Sequence, residues 1–211
     1  MMKKFLALLL AAIMVFGVVA CGETAETTAA GEETTAAGEE TTAAGEETTA
    51  AAEGGAYTTK IATPVVVTTI GQSDMNVVEQ ILKKVGIEYT ADNQLTADAV
   101  NGGTVIMAVG GSNKGLGSAG VDANQEVERG NAIIAKAQET GAQVICMHLG
   151  GSSRRGSTSD LMIQPMVAAC NYLIVAGDGD SDGQLTAWAA GVPVTTVADT
   201  KAVIDVIAAL Q

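Results

Sequence analysis

From residue 64 to residue 197 the chain alternates short, β-branched apolar runs with longer segments of helical period, a pattern that few architectures accept. Strands apolar on nearly every residue must be buried on both faces, which calls for a parallel sheet covered by helices on each side. The runs predict strands at residues 64–70, 104–109, 143–149, 172–176 and 194–197, with a weaker one at 87–90. Helices are expected to begin near Asp74, Asp122, Ser159, Asp182 and Thr200, where a short polar side chain can accept hydrogen bonds from unpaired amides. Asp122 followed by Gln125 has the form of a capping box.

The expected fold is therefore a three-layer α/β/α sandwich with a mostly parallel sheet of five to six strands, wound like flavodoxin. It is expected to occupy residues 57–211, a length suited to one domain with a full core. Two segments precede it. Residues 1–20 combine Lys3 and Lys4 with an apolar run over 5–19 and small residues before Cys21, the pattern of an export signal too short to span a bilayer. Val18-Val19-Ala20-Cys21-Gly22 resembles the bacterial lipobox, which implies cleavage before Cys21 and multiple acylation of that cysteine. The expectation is a lipid-anchored protein on the outer face of the cytoplasmic membrane or in the cell envelope. Ordinary secretion with a free Cys21 is the alternative.

Residues 22–56 are almost wholly Ala, Gly, Glu and Thr, with the unit Ala-Gly-Glu-Glu-Thr-Thr-Ala repeated from Ala30. A period of seven suggests a coiled coil, but no bulky apolar residue fills the two seam positions. The segment reads as a disordered, self-repelling tether that holds the domain roughly 30–35 Å from the anchor.

The net charge of −13 divides into +2 in the signal, nine glutamates in the tether, and nine basic against fifteen acidic residues in the domain, leaving −6 there. No basic field is available for nucleic acid. The domain's two cysteines, Cys146 and Cys170, read as buried thiols, although export would permit a disulfide.

Ligands of such folds bind outside the carboxyl ends of the strands, near the point where the winding reverses. The loops expected there, 71–74, 110–115, 150–156 and 177–183, are all rich in Gly, Ser and charge. Val-Gly-Gly-Ser-Asn-Lys-Gly-Leu-Gly at 109–117, His-Leu-Gly-Gly at 148–151 with Arg154-Arg155-Gly156 after it, and the Asp-rich turn from Asp178 resemble a family of bacterial lipoproteins built on a domain of unknown function. The resemblance covers essentially the whole domain. It implies the fold, export and shared loops, and no chemistry.

Several motifs in these loops carry a chemical reading of their own. Residues 115–120 have the spacing of a dinucleotide-binding fingerprint but follow the third strand, so a flexible Gly-rich loop is the better reading. Residues 68–73 stand where flavodoxin-like proteins hold a flavin phosphate, yet no aromatic side chain lies in these loops to stack on a flavin. Gly71-Gln72-Ser73-Asp74 is similar to the nucleophile block of some serine esterases, and a hydrolase pairing Ser73 with His148, the only histidine, is the alternative enzymatic reading. Otherwise Ser73 and Asp74 cap the first helix, and His148 is a hydrogen-bonded strand end.

Lys114, Arg154 and Arg155 are three of the domain's nine basic residues and fall in two neighbouring loops. With Ser73, Ser112, Asn113, His148 and Ser152 they form the candidate binding set for a small polar, anionic ligand. Asp178, Asp180 and Asp182 match the opening of a calcium loop, with Gly183 at the sixth position, but Ala189 stands where a bidentate Glu is expected. The competing reading is an Asp-rich turn that caps the helix after Asp182. A non-catalytic structural or interaction module of the envelope is the remaining possibility for the whole domain.

Overall fold

A computed structural model describes residues 56–211. The expected signal, lipidated Cys21 and tether lie outside the described residues. The chain runs β1 (Val65–Ile70), α1 (Met75–Val85), β2 (Thr90–Ala91), β3 (Thr104–Val109), α2 (Asn113–Ala119), α3 (Ala123–Thr140), β4 (Gln143–His148), α4 (Ser157–Val167), β5 (Tyr172–Ala176), α5 (Gln184–Trp188), β6 (Val194–Val197) and α6 (Ala202–Ala208), with short 3-10 turns at Ala97–Ala99 and Gly151–Arg154. All six strands are parallel, in the order β2-β1-β3-β4-β5-β6. This is the three-layer, flavodoxin-like sandwich that the apolar runs call for.

Alternation along each strand divides the core into two layers. Val66, Val105, Met107, Val144, Cys146, Leu173 and Val175 face α2 to α5, meeting Ile133, Ile134 and Ala137 of α3 and Met162, Ile163 and Met166 of α4. Val65, Val67, Ile106, Ala108, Ile145, Met147 and Ile174 face α1 and α6, where Val78, Ile81, Leu82, Val203 and Ile207 wait. A large aliphatic side chain fully buried in either layer contributes roughly 1.5–3 kcal/mol. Cys146 and Cys170 are both buried free thiols. The Cys170 thiol beside it and burial push the Cys146 thiol well up, so it stays protonated and packs as a small apolar group.

Local expectations are corrected in three places. The 115–120 stretch is not a flexible loop: it forms most of α2, with Ser112 capping the helix by accepting from the Gly115 amide. Gly115 is needed because a Cβ there would collide with the Gln72 backbone, and Gly120 ends the helix at φ 69°. The second strand is only two residues, later than expected. Neither Ser73 nor Asp74 caps α1 with its side chain, since Asp74 adopts the left-handed region at φ 56° and its carboxylate points to Arg154. Helices α4, α5 and α6 begin within two residues of Ser159, Asp182 and Thr200. The Asp122–Gln125 capping box forms in full, with both hydrogen bonds at 2.8–2.9 Å.

The chain enters the domain at the amino edge of the sheet. The Ile61 amide donates to Leu210 O at 2.7 Å, the Ala62 amide donates to Thr104 Oγ1, and Tyr57 stacks on Tyr172 at 4.3 Å between ring centroids. The Gly- and Ser-rich loops gather at the opposite, carboxyl edge.

Candidate functional site

At the carboxyl edge, the place where flavodoxin-like folds usually open is already filled. Glu126 lies on the buried stripe of α3 with Gly130, Ile133, Ile134 and Ala137, and is 1% exposed. Its carboxylate accepts from the Gly71 amide at 2.8 Å and pairs with Arg129 at 2.9 Å. Arg129 also donates to Thr68 Oγ1, to Leu95 O and to Thr69 O. The Ser73 amide is likewise taken, by Thr69 Oγ1. The loop after β1 thus spends these donors on the protein itself, where a flavin phosphate would need them. Sequence reasoning missed Glu126 and Arg129, and the available signal was an acidic residue standing on the apolar face of an amphipathic helix.

Ser73 and His148 each bond backbone carbonyls, and no hydrogen bond joins them among the described residues. The Ser73 hydroxyl donates to Gly110 O at 2.7 Å. His148 is fully buried at the end of β4, with Nδ1 at 2.8 Å from Val109 O and Nε2 at 3.0 Å from Gly151 O. Gly179 packs so closely on the imidazole that a Cβ there would overlap the ring. His148 therefore ties β3, β4 and the Gly151–Arg154 turn together.

The remaining candidates divide between two sides of the 150–156 segment. On one side lies the Asp-rich turn. Asp178 accepts from the Ser152 amide at 2.9 Å and from its hydroxyl at 2.6 Å. Asp180 caps α5, accepting from the amides of Leu185 and Thr186 at 2.6 and 3.2 Å. Asp182 receives Arg155 in a fork at 3.1 and 3.2 Å and accepts from the Gln184 amide. The three carboxylates thus serve three different sets of donors, and among the described residues no group of three or more His, Cys, Asp or Glu is placed to hold a metal ion.

Arg155 explains this arrangement. Its Nε donates to Asp160 at 2.7 Å, Nη1 to Gly179 O at 2.7 Å and to Asp182, and Nη2 to Asp182 and, at 3.5 Å, to Asp160. The guanidinium also lies 5.2 Å from the ring centroid of Trp188. All five N–H groups are taken. Burial opposes its charge, but the carboxylates of Asp160 and Asp182 outweigh that and raise its pKa. The same contacts act in reverse on the acids: Ser152 holds Asp178, and Arg155 holds Asp182, below the usual carboxylate range.

On the other side lies a cavity of about 440 Å³ between the loop after β3 and the start of α4, lined by Ser112, Asn113, Lys114, Arg154, Arg155 and the hydroxyl residues Ser153, Ser157, Thr158 and Ser159. Five members of the expected binding set meet here, whereas Ser73, His148 and Ser152 do not line it. Helix α4 has Gly156 at its N-cap with no side-chain cap, and the amides of Ser157, Thr158 and Ser159 find no acceptor among the described residues. Lys114 makes no ion pair among the described residues. Arg154 reaches Asp74 through Nε at 3.3 Å, and its two terminal nitrogens have no hydrogen-bond partner among the described residues.

Residues 62–210 match a family described as a domain of unknown function, DUF6305. The chain belongs to that family. No curated protein and no solved structure matches the chain. The DUF6305 match covers nearly the whole sandwich, so both sides of the 150–156 segment, the cavity included, lie within the family's domain.

Proposed function

We propose that the chain is a lipid-anchored extracytoplasmic protein whose DUF6305 domain binds a small polar, anionic ligand in the cavity between the loop after β3 and the start of α4. The observation that carries this reading is the convergence of Lys114, the unspent donors of Arg154 and the uncapped start of α4 on one 440 Å³ space. That volume falls in the range of small-molecule sites, and its polar donors suit an anion. The domain acts as a binder rather than a hydrolase in this reading, because Ser73 and His148 are each committed to backbone carbonyls.

Export and anchoring rest on the signal and Cys21. No helix among the described residues is long and apolar enough to cross a membrane, so membrane attachment would depend on the lipid. Within the domain, the chain enters at the amino edge of the sheet and the cavity lies at the carboxyl edge.

Two measurements test the proposal. Cys21→Ala is expected to move the protein from the membrane to the soluble fraction, and retention on the membrane would defeat the anchor. Charge reversal by Lys114→Glu is expected to abolish the thermal stabilisation that a panel of small anions gives the full chain. Undiminished stabilisation would remove the cavity as the site.

A further inference from the structure

The charges around the cavity do more than mark it as anionic, because most of them are already matched. Arg155 lies between Asp160 and Asp182, two carboxylates against one guanidinium, and has no N–H left to offer. Arg154 stands against Asp74 as an ion pair at 3.3 Å, and the Asp74 Oδ2 it faces is shielded from solvent and accepts no hydrogen bond among the described residues. Only Lys114 brings a positive charge without a counter-charge among the described residues. A ligand with two negative charges would therefore leave one of them unmatched against an acidic surround, at a cost that desolvation increases.

The lining sets the rest of the ligand. It holds hydroxyls from Ser112, Ser153, Ser157, Thr158 and Ser159 with the amide of Asn113, and no aromatic or large aliphatic side chain. An apolar body or a nucleobase would find nothing to pack or stack on there. A body covered in hydroxyl groups would exchange its water for matched donors and acceptors.

Building on the cavity reading above, we propose that the ligand is a hydroxylated monocarboxylate of the sugar-acid class. Its carboxylate is held by Lys114 and the terminal nitrogens of Arg154, and its hydroxyl groups by the serine-rich start of α4. A planar carboxylate suits the guanidinium fork, and its single charge would meet Lys114, the one cation of the lining with no carboxylate beside it among the described residues.

The test is calorimetric titration of the full chain in detergent micelles with gluconate, glucose 6-phosphate, glucose and acetate, above the second phosphate pKa of about 6. Gluconate is expected to saturate the protein and to bind about tenfold or more tighter than each of the others, the equivalent of one charge-assisted hydrogen bond. Lys114→Gln and Arg154→Gln should each weaken it by about tenfold, with melting curves confirming that both variants fold. Asp74→Asn, whose amide tolerates the left-handed backbone, should shift the preference towards glucose 6-phosphate by releasing the charge of Arg154. Tighter binding of glucose 6-phosphate to the unaltered chain, still lost with Lys114→Gln, overturns the monocarboxylate and keeps the cavity. Equal binding of glucose overturns the need for a charge. Binding that survives both the Lys114 and Arg154 substitutions overturns the cavity reading itself, and no saturable binding of gluconate overturns this proposal.

Discussion

Arg154 and Arg155 are adjacent in sequence and identical in chemistry, yet they serve opposite sides of one loop. Arg155 turns to the Asp-rich turn, where every donor it has is spent on Asp160, Asp182 and Gly179 O. Arg154 turns to the cavity, where it keeps two nitrogens uncommitted. The features that look like an anion site and a cation site are in part each other's partners: Ser152 from the first holds Asp178 from the second by hydrogen bonds, and Arg155 holds Asp182 by an ion pair. A charge in a loop signals a ligand only when the fold has not already neutralised it.

That contrast can be broken most forcefully at Arg155. Arg155→Ala is expected to cost about 2 kcal/mol by urea denaturation, because it strips two carboxylates and a carbonyl of charge-assisted partners. Arg155→Lys should recover less than half of it, since an ammonium cannot reproduce the fork. A loss no greater than that of Arg154→Ala would show that the two arginines are not divided in this way.

Acid provides a second, smaller probe. Asp178 and Asp182 have lowered pKa values in the folded protein and return to about 3.9 on unfolding. Their contribution is therefore full above that value and is lost as pH falls through it towards the folded-state values. Replacing both by Asn should flatten the decline of the urea midpoint between about pH 5 and pH 2. An unchanged acid limb would show that other carboxylates govern it.

On the cavity side the expected stability effect is close to nothing. Lys114→Ala should stay within about 0.5 kcal/mol of the parent while weakening anion binding, the reverse of the Arg155 pattern. Calcium should have the least effect of all: with its three carboxylates spent on separate donors, the Asp-rich turn is expected to show no rise in melting temperature as calcium is added to the chelator-treated protein. A rise proportional to the logarithm of calcium concentration would mean that the turn exchanges these bonds for metal ligands.

Strands apolar on both faces have no alternative to helices above and below, so the layered fold was legible in the chain, and the Asp122–Gln125 capping box marked the start of α3. The sequence also determined which loops meet at the carboxyl edge, because that follows from strand direction alone. Helix α2 escaped it, because glycines there suggest flexibility until Gly115 is seen pressed against the Gln72 backbone. The buried Glu126–Arg129 pair escaped it for a related reason: an i, i+3 ion pair looks alike on a wet surface and beneath a loop. Which arginine is spent and which is available was decided only by tertiary structure. A guanidinium's partners are chosen by distance and direction across elements far apart in the chain, and 5 residues separate Arg155 from Asp160 while 27 separate it from Asp182.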